Sequence, residues 1–154
     1  VASPAFIRAL ERALAGGAAI ALMLALADAT GYPLMALPFT TSIVMVLGSP
    51  EVPAAQPMRV FGGHLVCAAL AVACTILFGF ETWVVVVAIA LSMLVMQALD
   101  LFHPPAGITP MIMVTSQAGP WFFIFPVMTG VLLLIAFSAI CRHLSATAPP
   151  DERN

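Results

Sequence analysis

An all-α integral membrane fold, organised as two three-segment repeats in inverted relation, is predicted by three features of the sequence. Hydrophobic residues make up 62% of the chain and charged residues only 8%, whereas soluble domains are about a quarter charged. The apolar residues gather into runs able to cross a hydrocarbon layer of about 30 Å, spread over all 154 residues. Between these runs lie proline-rich breaks that carry aspartate, histidine, threonine and serine. One membrane domain over residues 10–143 is expected, with a cytoplasmic segment 1–9 before it and a disordered tail 144–154 holding Pro149 and Pro150 after it.

In chain order, the first span is the uncharged run Ala13 to Ala27, which reaches bilayer length with Leu10 and Thr30 at its ends. Gly16 and Gly17 in it suit close approach of a neighbouring helix. Gly31, Pro33 and Pro38 then argue against continuous helix over 29–38, because proline lacks a donor and pushes the residue before it toward extended backbone. Pro38 suits the first position of a new helix, and the hydroxyls of Thr40, Thr41 and Ser42 can serve its unpaired first-turn amides. A half-helix Phe39 to Leu47 is expected, stopped by Gly48-Ser49-Pro50, and Pro53 and Pro57 keep the following loop non-helical.

The second span, Val60 to Phe80, carries Gly62, Gly63 and His64 near its start, and the third runs from Trp83 to Leu99. Asp100 opens a second break holding His103-Pro104-Pro105 and Thr109-Pro110, from which a half-helix Thr109 to Ser116 leads to Gly119-Pro120. The last span is expected from Trp121 to Cys141. Trp83 and Trp121 each begin a span, where interfacial aromatics belong.

Shifting the chain by 72 residues lays Asp28 on Asp100, Pro33 on Pro105 and Pro38 on Pro110. The order of span, break, half-helix, loop and span also repeats, giving a first unit over 10–80 and a second over 82–143. Paired, proline-interrupted segments in corresponding positions point to a transporter's binding site. About nine extended residues at roughly 3.1 Å and about ten helical ones at 1.5 Å reach across a bilayer, so each break is expected to cross and the units to be inverted. Arg8, Arg12, Arg59 and Arg142 then all face the cytoplasm, with Glu81 outside, as the positive-inside rule asks. Re-entrant breaks would instead put Arg59 outside.

Other classes fit poorly. A net charge of −2 with dispersed arginines lacks the footprint of a nucleic-acid binder. Cys67, Cys74 and Cys141 lie in apolar runs and read as packing groups, as do Met35, Met45, Met111 and Met113, so neither metal nor cofactor is expected. No nucleophile stands at recognisable spacing from a base, which argues against an enzyme. Arg8, Glu11 and Arg12 lead straight into the first span, which is expected to serve as its own insertion signal.

Phe102-His103-Pro104-Pro105-Ala106-Gly107 with Thr109, Gly48-Ser49-Pro50 to Gln56-Pro57, and Arg59 to Gly62-Gly63-His64 together closely resemble the HPP family of integral membrane proteins. The resemblance covers nearly the whole chain. It implies a multi-pass protein of a bacterial inner membrane, both termini cytoplasmic, and the association of plastid members with nitrite transport implies a small inorganic anion as substrate.

The candidate anion site comprises Pro38, Phe39, Thr40, Thr41 and Ser42 of the first half-helix with His103, Pro104, Pro105, Ala106, Gly107, Thr109 and Pro110 of the second break. Helix N-termini there offer unpaired amides and positive dipole ends. Asp28 and Asp100 have two open roles, shaping the breaks or coupling protons. His103 is either a proton relay or anion ligand, or a neutral ring bonded to a carbonyl freed by Pro104 or Pro105. For His64, packing is the expected role. Four full helices are too few to shield two breaks from lipid on all sides, so a homo-oligomer, a dimer for preference, is expected. The competing function is a membrane-embedded sensor or interaction subunit.

Overall fold

A computed structural model of the chain describes residues 3–31 and 37–147, and all regular structure among them is helical. Pro33, Met35, the residues from 148 on and the side chain of Pro38 lie outside the described residues. Six α-helices are present there: α1 Pro4–Thr30, α2 Leu37–Gly48, α3 Pro57–Phe78, α4 Thr82–Ala98, α5 Thr109–Thr115 and α6 Thr129–Thr147. Short 3-10 turns, Pro53–Ala55 and Pro104–Ile108, precede α3 and α5. Three apolar helices are long enough to cross a membrane, Pro4–Thr30, Pro57–Phe78 and Phe123–Leu144, while α4 is shorter at 17 residues, about 25 Å.

Helix starts follow local chemistry. The Ser3 hydroxyl accepts the amide of Phe6 at 3.2 Å, and Pro4 takes the first turn, so α1 begins at Pro4 rather than near Leu10. Both half-helices form within a residue or two of the expected positions, as α2 and α5. The last span departs from expectation. Trp121 does not open one continuous α-helix, because Pro126 lacks an amide hydrogen and Phe125 before it is extended (φ −124°, ψ 116°), which kinks the chain within Phe123–Met128.

The two aspartates matched by the 72-residue shift are not structurally equivalent. Helix α1 continues through Asp28 to Thr30, and Gly31 takes the left-handed position after it (φ 69°). Helix α4 stops before Asp100, which itself occupies that position (φ 55°).

Helix α3 is the centre, packed by α4, α5, α6, both 3-10 turns and the kinked segment Phe123–Met128. Its buried face is made of small residues, among them Gly62, Gly63, Ala68 and Ala71. Phe39, Ile43 and Val46 from α2, Met113 from α5, and Val127, Val131 and Leu134 close the main core around it. Helix α1 lies outside, buries only Ala19 and Met23, and rests on α2 and α6. Arg12 fastens it, donating to the Gly48 carbonyl at the end of α2 (2.9 Å) and to the Glu51 carboxylate (3.2 Å).

Three glycines set how closely the polar breaks approach the core. A Cβ on Gly63 would stand 2.8 Å from the His103 Cβ and 3.1 Å from the Leu101 carbonyl oxygen, and one on Gly62 would strike the Leu101 side chain at 2.7 Å. On Gly130 it would enter the Phe39 ring at 2.6 Å. Overpacking of this kind costs about 1–3 kcal/mol. Gly63→Ala, which meets backbone and a fixed Cβ, should therefore lower the unfolding midpoint in detergent clearly, whereas Gly16→Ala, with open space around it, should leave it unchanged or raise it.

Candidate functional site

The second break is built by the end of α4. The Asp100 amide donates to the Gln97 carbonyl (3.2 Å) and the Leu101 amide to the Met96 carbonyl (2.8 Å), the paired bonds of a left-handed helix stop. The chain turns back on α3, which lays Leu101 on Gly62 and His103 on Gly63. Arg59, at the start of α3, donates from Nη2 to both Asp100 carboxylate oxygens at 2.7 and 2.9 Å. With the Asp100 side chain 84% exposed, the pair holds the turn at the surface and contributes under about 1 kcal/mol. Asp28 is exposed on α1.

His103 is extended (φ −128°, ψ 94°), as a residue before proline must be, and Pro104 then starts a 3-10 turn whose Ala106 amide returns to the His103 carbonyl. This places the imidazole inward and fully buried. Its Nδ1 lies 2.7 Å from the carbonyl oxygen of Ala54. That carbonyl belongs to the Pro53–Ala55 turn, and the residue three further on, Pro57, has no amide to offer it. The freed carbonyl is thus supplied by Pro57, not by Pro104 or Pro105.

From His103 a buried polar chain runs through the core. Ser42 Oγ lies 3.0 Å from His103 Nε2 and 3.0 Å from His64 Nε2, and Thr109 Oγ1 lies 3.5 Å from His64 Nδ1. All four residues are fully buried. Phe39 stacks on His64 with ring centroids 5.6 Å apart, and the two imidazoles are 5.4 Å apart. Besides packing against Phe39, the His64 ring is thus met on opposite nitrogens by the middle of α2 and the start of α5.

The Ala54 carbonyl only accepts, so His103 Nδ1 carries a hydrogen. With both rings neutral, Nε2 of His103 accepts from the Ser42 hydroxyl, Ser42 accepts from His64 Nε2–H, and His64 Nδ1 accepts from Thr109. Each of these four bonds then has one donor and one acceptor, running in a single direction.

The remaining predicted residues separate into two sets. Thr40 and Thr41 face Pro104, Pro105 and Ile108 across an open, mainly apolar groove of about 650 Å³ on the other side of α2. Ala106 and Pro110 are buried and Gly107 half-buried in the wall between. The open amides expected at the start of α5 are fewer than the sequence implied: the Thr109 amide donates to the Ala106 carbonyl and Pro110 has none. A second cavity, of about 330 Å³, gathers Arg8, Arg12 and Arg142 with Glu11 between α1, α2 and α6. Among the described residues no three His, Cys, Asp or Glu side chains come together as metal ligands.

A multi-pass α-helical membrane protein with a polar chain buried at its helix breaks is the class these features define. Residues 2–150 match the family described as HPP, transmembrane region, and the chain belongs to that family. It is also similar to two transmembrane proteins of Dictyostelium discoideum, at 28% identity over 116 residues and 30% over 115. Each match covers 70% of this chain, but only 40% and 37% of the respective relative. No solved structure matches.

Removal of a buried partner leaves costly unsatisfied groups, about 1–3 kcal/mol each, whereas an exposed ion pair is worth little. In one detergent, His103→Ala should lower the unfolding midpoint much more than Asp100→Asn; equal shifts would contradict the arrangement described.

Proposed function

We propose that the protein is a transporter or channel for a small inorganic anion, with nitrite the foremost candidate. The observation that carries this reading is the convergence of α2, through Ser42 in its middle, and of the start of α5, through Thr109, on one imidazole inside an otherwise apolar membrane domain. Broken backbone and buried polar side chains are expensive in a bilayer and mark substrate or ion paths. The groove beside this cluster, between Thr40, Thr41 and the His-Pro-Pro turn, is the anion's berth in this reading, with hydroxyls replacing part of its hydration shell.

Charge supports the same sign of substrate. With Arg12 paired to Glu51, Arg8 and Arg142 against Glu11 leave the smaller cavity near the end of α2 with a net positive charge, a field that raises the local concentration of anions. The sequence has no lysine, and its arginines lie outside the middles of the spans, so a passing anion meets no strong trap. The same proposal puts the chain in a bacterial inner membrane with both termini cytoplasmic and its halves inverted. A second copy is proposed to cover part of α1, whose outward face is apolar, with Leu14 64% and Leu24 52% exposed.

Flux into proteoliposomes tests the reading. Nitrite uptake should exceed that of protein-free vesicles, saturate, and fall several-fold in Thr40→Val/Thr41→Val, whose side chains keep their volume and lose their hydroxyls. Protein-bearing vesicles no leakier than empty ones to nitrite, nitrate and chloride would overturn it and leave the sensor or interaction subunit.

A further inference from the structure

The buried polar chain has a property that anion transport does not require. Its two imidazoles are linked by a single hydroxyl at 3.0 Å on either side, and one end is pinned by a carbonyl at 2.7 Å. A hydroxyl in this position can take a proton from one ring while giving its own to the other. The opposite end, Thr109 to His64 at 3.5 Å, is the loosest link, and it lies where the 3-10 turn Pro104–Ile108 passes into α5.

We propose that His64 and His103 form a binding site for one proton, with Ser42 as the relay that shares it. A proton arriving at His64 Nδ1 makes a new N–H there. His64 releases its Nε2 proton to Ser42 Oγ, and Ser42 passes its own hydroxyl proton to His103 Nε2. One proton enters, none is lost, and no heavy atom changes place. The positive charge ends on His103, whose two N–H groups then face the Ala54 carbonyl and Ser42 Oγ. His64 is left neutral in its other tautomer, and the Thr109 hydroxyl turns from donor to acceptor. Events at the Pro53–Ala55 turn are thereby felt at the start of α5.

The surroundings exclude a second charge. Two imidazolium rings with centroids 5.4 Å apart would repel in an interior without water. The sequences of α2, α4, α5 and both 3-10 turns hold no titratable side chain. On α3 the Cys67 thiol lies against Met96 Sδ (3.7 Å), and Arg59 is bonded to Asp100 at the surface. On α6 the titratable groups Cys141, Arg142 and His143 lie in its C-terminal part. The pair thus takes up its proton as a coupled unit rather than as two independent rings.

The inference goes beyond the anion reading and is tested without it. The full chain, labelled with 15N-histidine and held in lipid nanodiscs, is titrated from pH 9 to 4 while side-chain nitrogen resonances report which ring nitrogen carries hydrogen. His143→Gln identifies the exposed third histidine. At high pH His103 should carry its hydrogen on Nδ1 and His64 on Nε2. In one shared transition His103 should gain a second N–H while His64 moves its hydrogen from Nε2 to Nδ1. Ser42→Ala should break the link, so that His64 keeps one tautomer while His103 titrates. In the native chain, a His64 tautomer that stays fixed through the His103 transition, two doubly protonated rings, or no titration would overturn the proposal, whether or not Ser42→Ala folds.

Discussion

A polypeptide that interrupts its helices inside a hydrocarbon layer must find partners for the groups it frees, because no water is at hand. That constraint explains the centre of this molecule. Pro57 leaves the Ala54 carbonyl without its turn partner, and His103 supplies the missing hydrogen. Fixing one nitrogen of His103 defines what the other needs, which calls for Ser42, which in turn calls for His64 and then Thr109. The polar residues of four separate elements are placed by one unfilled carbonyl.

Close packing makes the bonds short enough to matter. The turn after α4 reaches α3 only because Gly62 and Gly63 have no side chains, and Phe39 reaches its seat over His64 only because Gly130 has none. These glycines act through the distances they permit. Arg59 and Asp100, although they form the shortest ion pair described, hold the turn from outside. Position in the fold, more than charge, separates the groups that shape the break from those that face one another within it.

The membrane class, the long helices α1 and α3 and both half-helices were legible in the sequence because length, apolar content and proline placement dictate them locally. The contribution of Ser42, Thr109 and His103 was legible too, as polar residues at expensive places. Their meeting on His64 was not, since it depends on contacts 22, 45 and 61 residues apart. Gly62-Gly63-His64 held a usable signal: two adjacent glycines in a helix invite close approach, and the histidine after them faces whatever approaches. The interruption at Phe125 was also readable from Pro126, which resembles the other prolines in everything but its lack of neighbouring turn residues. The equivalence of Asp28 and Asp100 failed because the shift that aligns the prolines ignores where each helix ends.

Helix α1 stands apart from this economy of contacts, fixed to the rest through a thin seam and the Arg12 clamp. A rod that is greasy on nearly every side needs no companions to reside in lipid. During synthesis it is suited to enter the bilayer alone, while α2, with its hydroxyls, is better shielded until α3 arrives. Assembly would then proceed from an early anchor toward a late-forming polar heart, and defects in that heart should leave an inserted but misassembled chain rather than one lost to the aqueous phase.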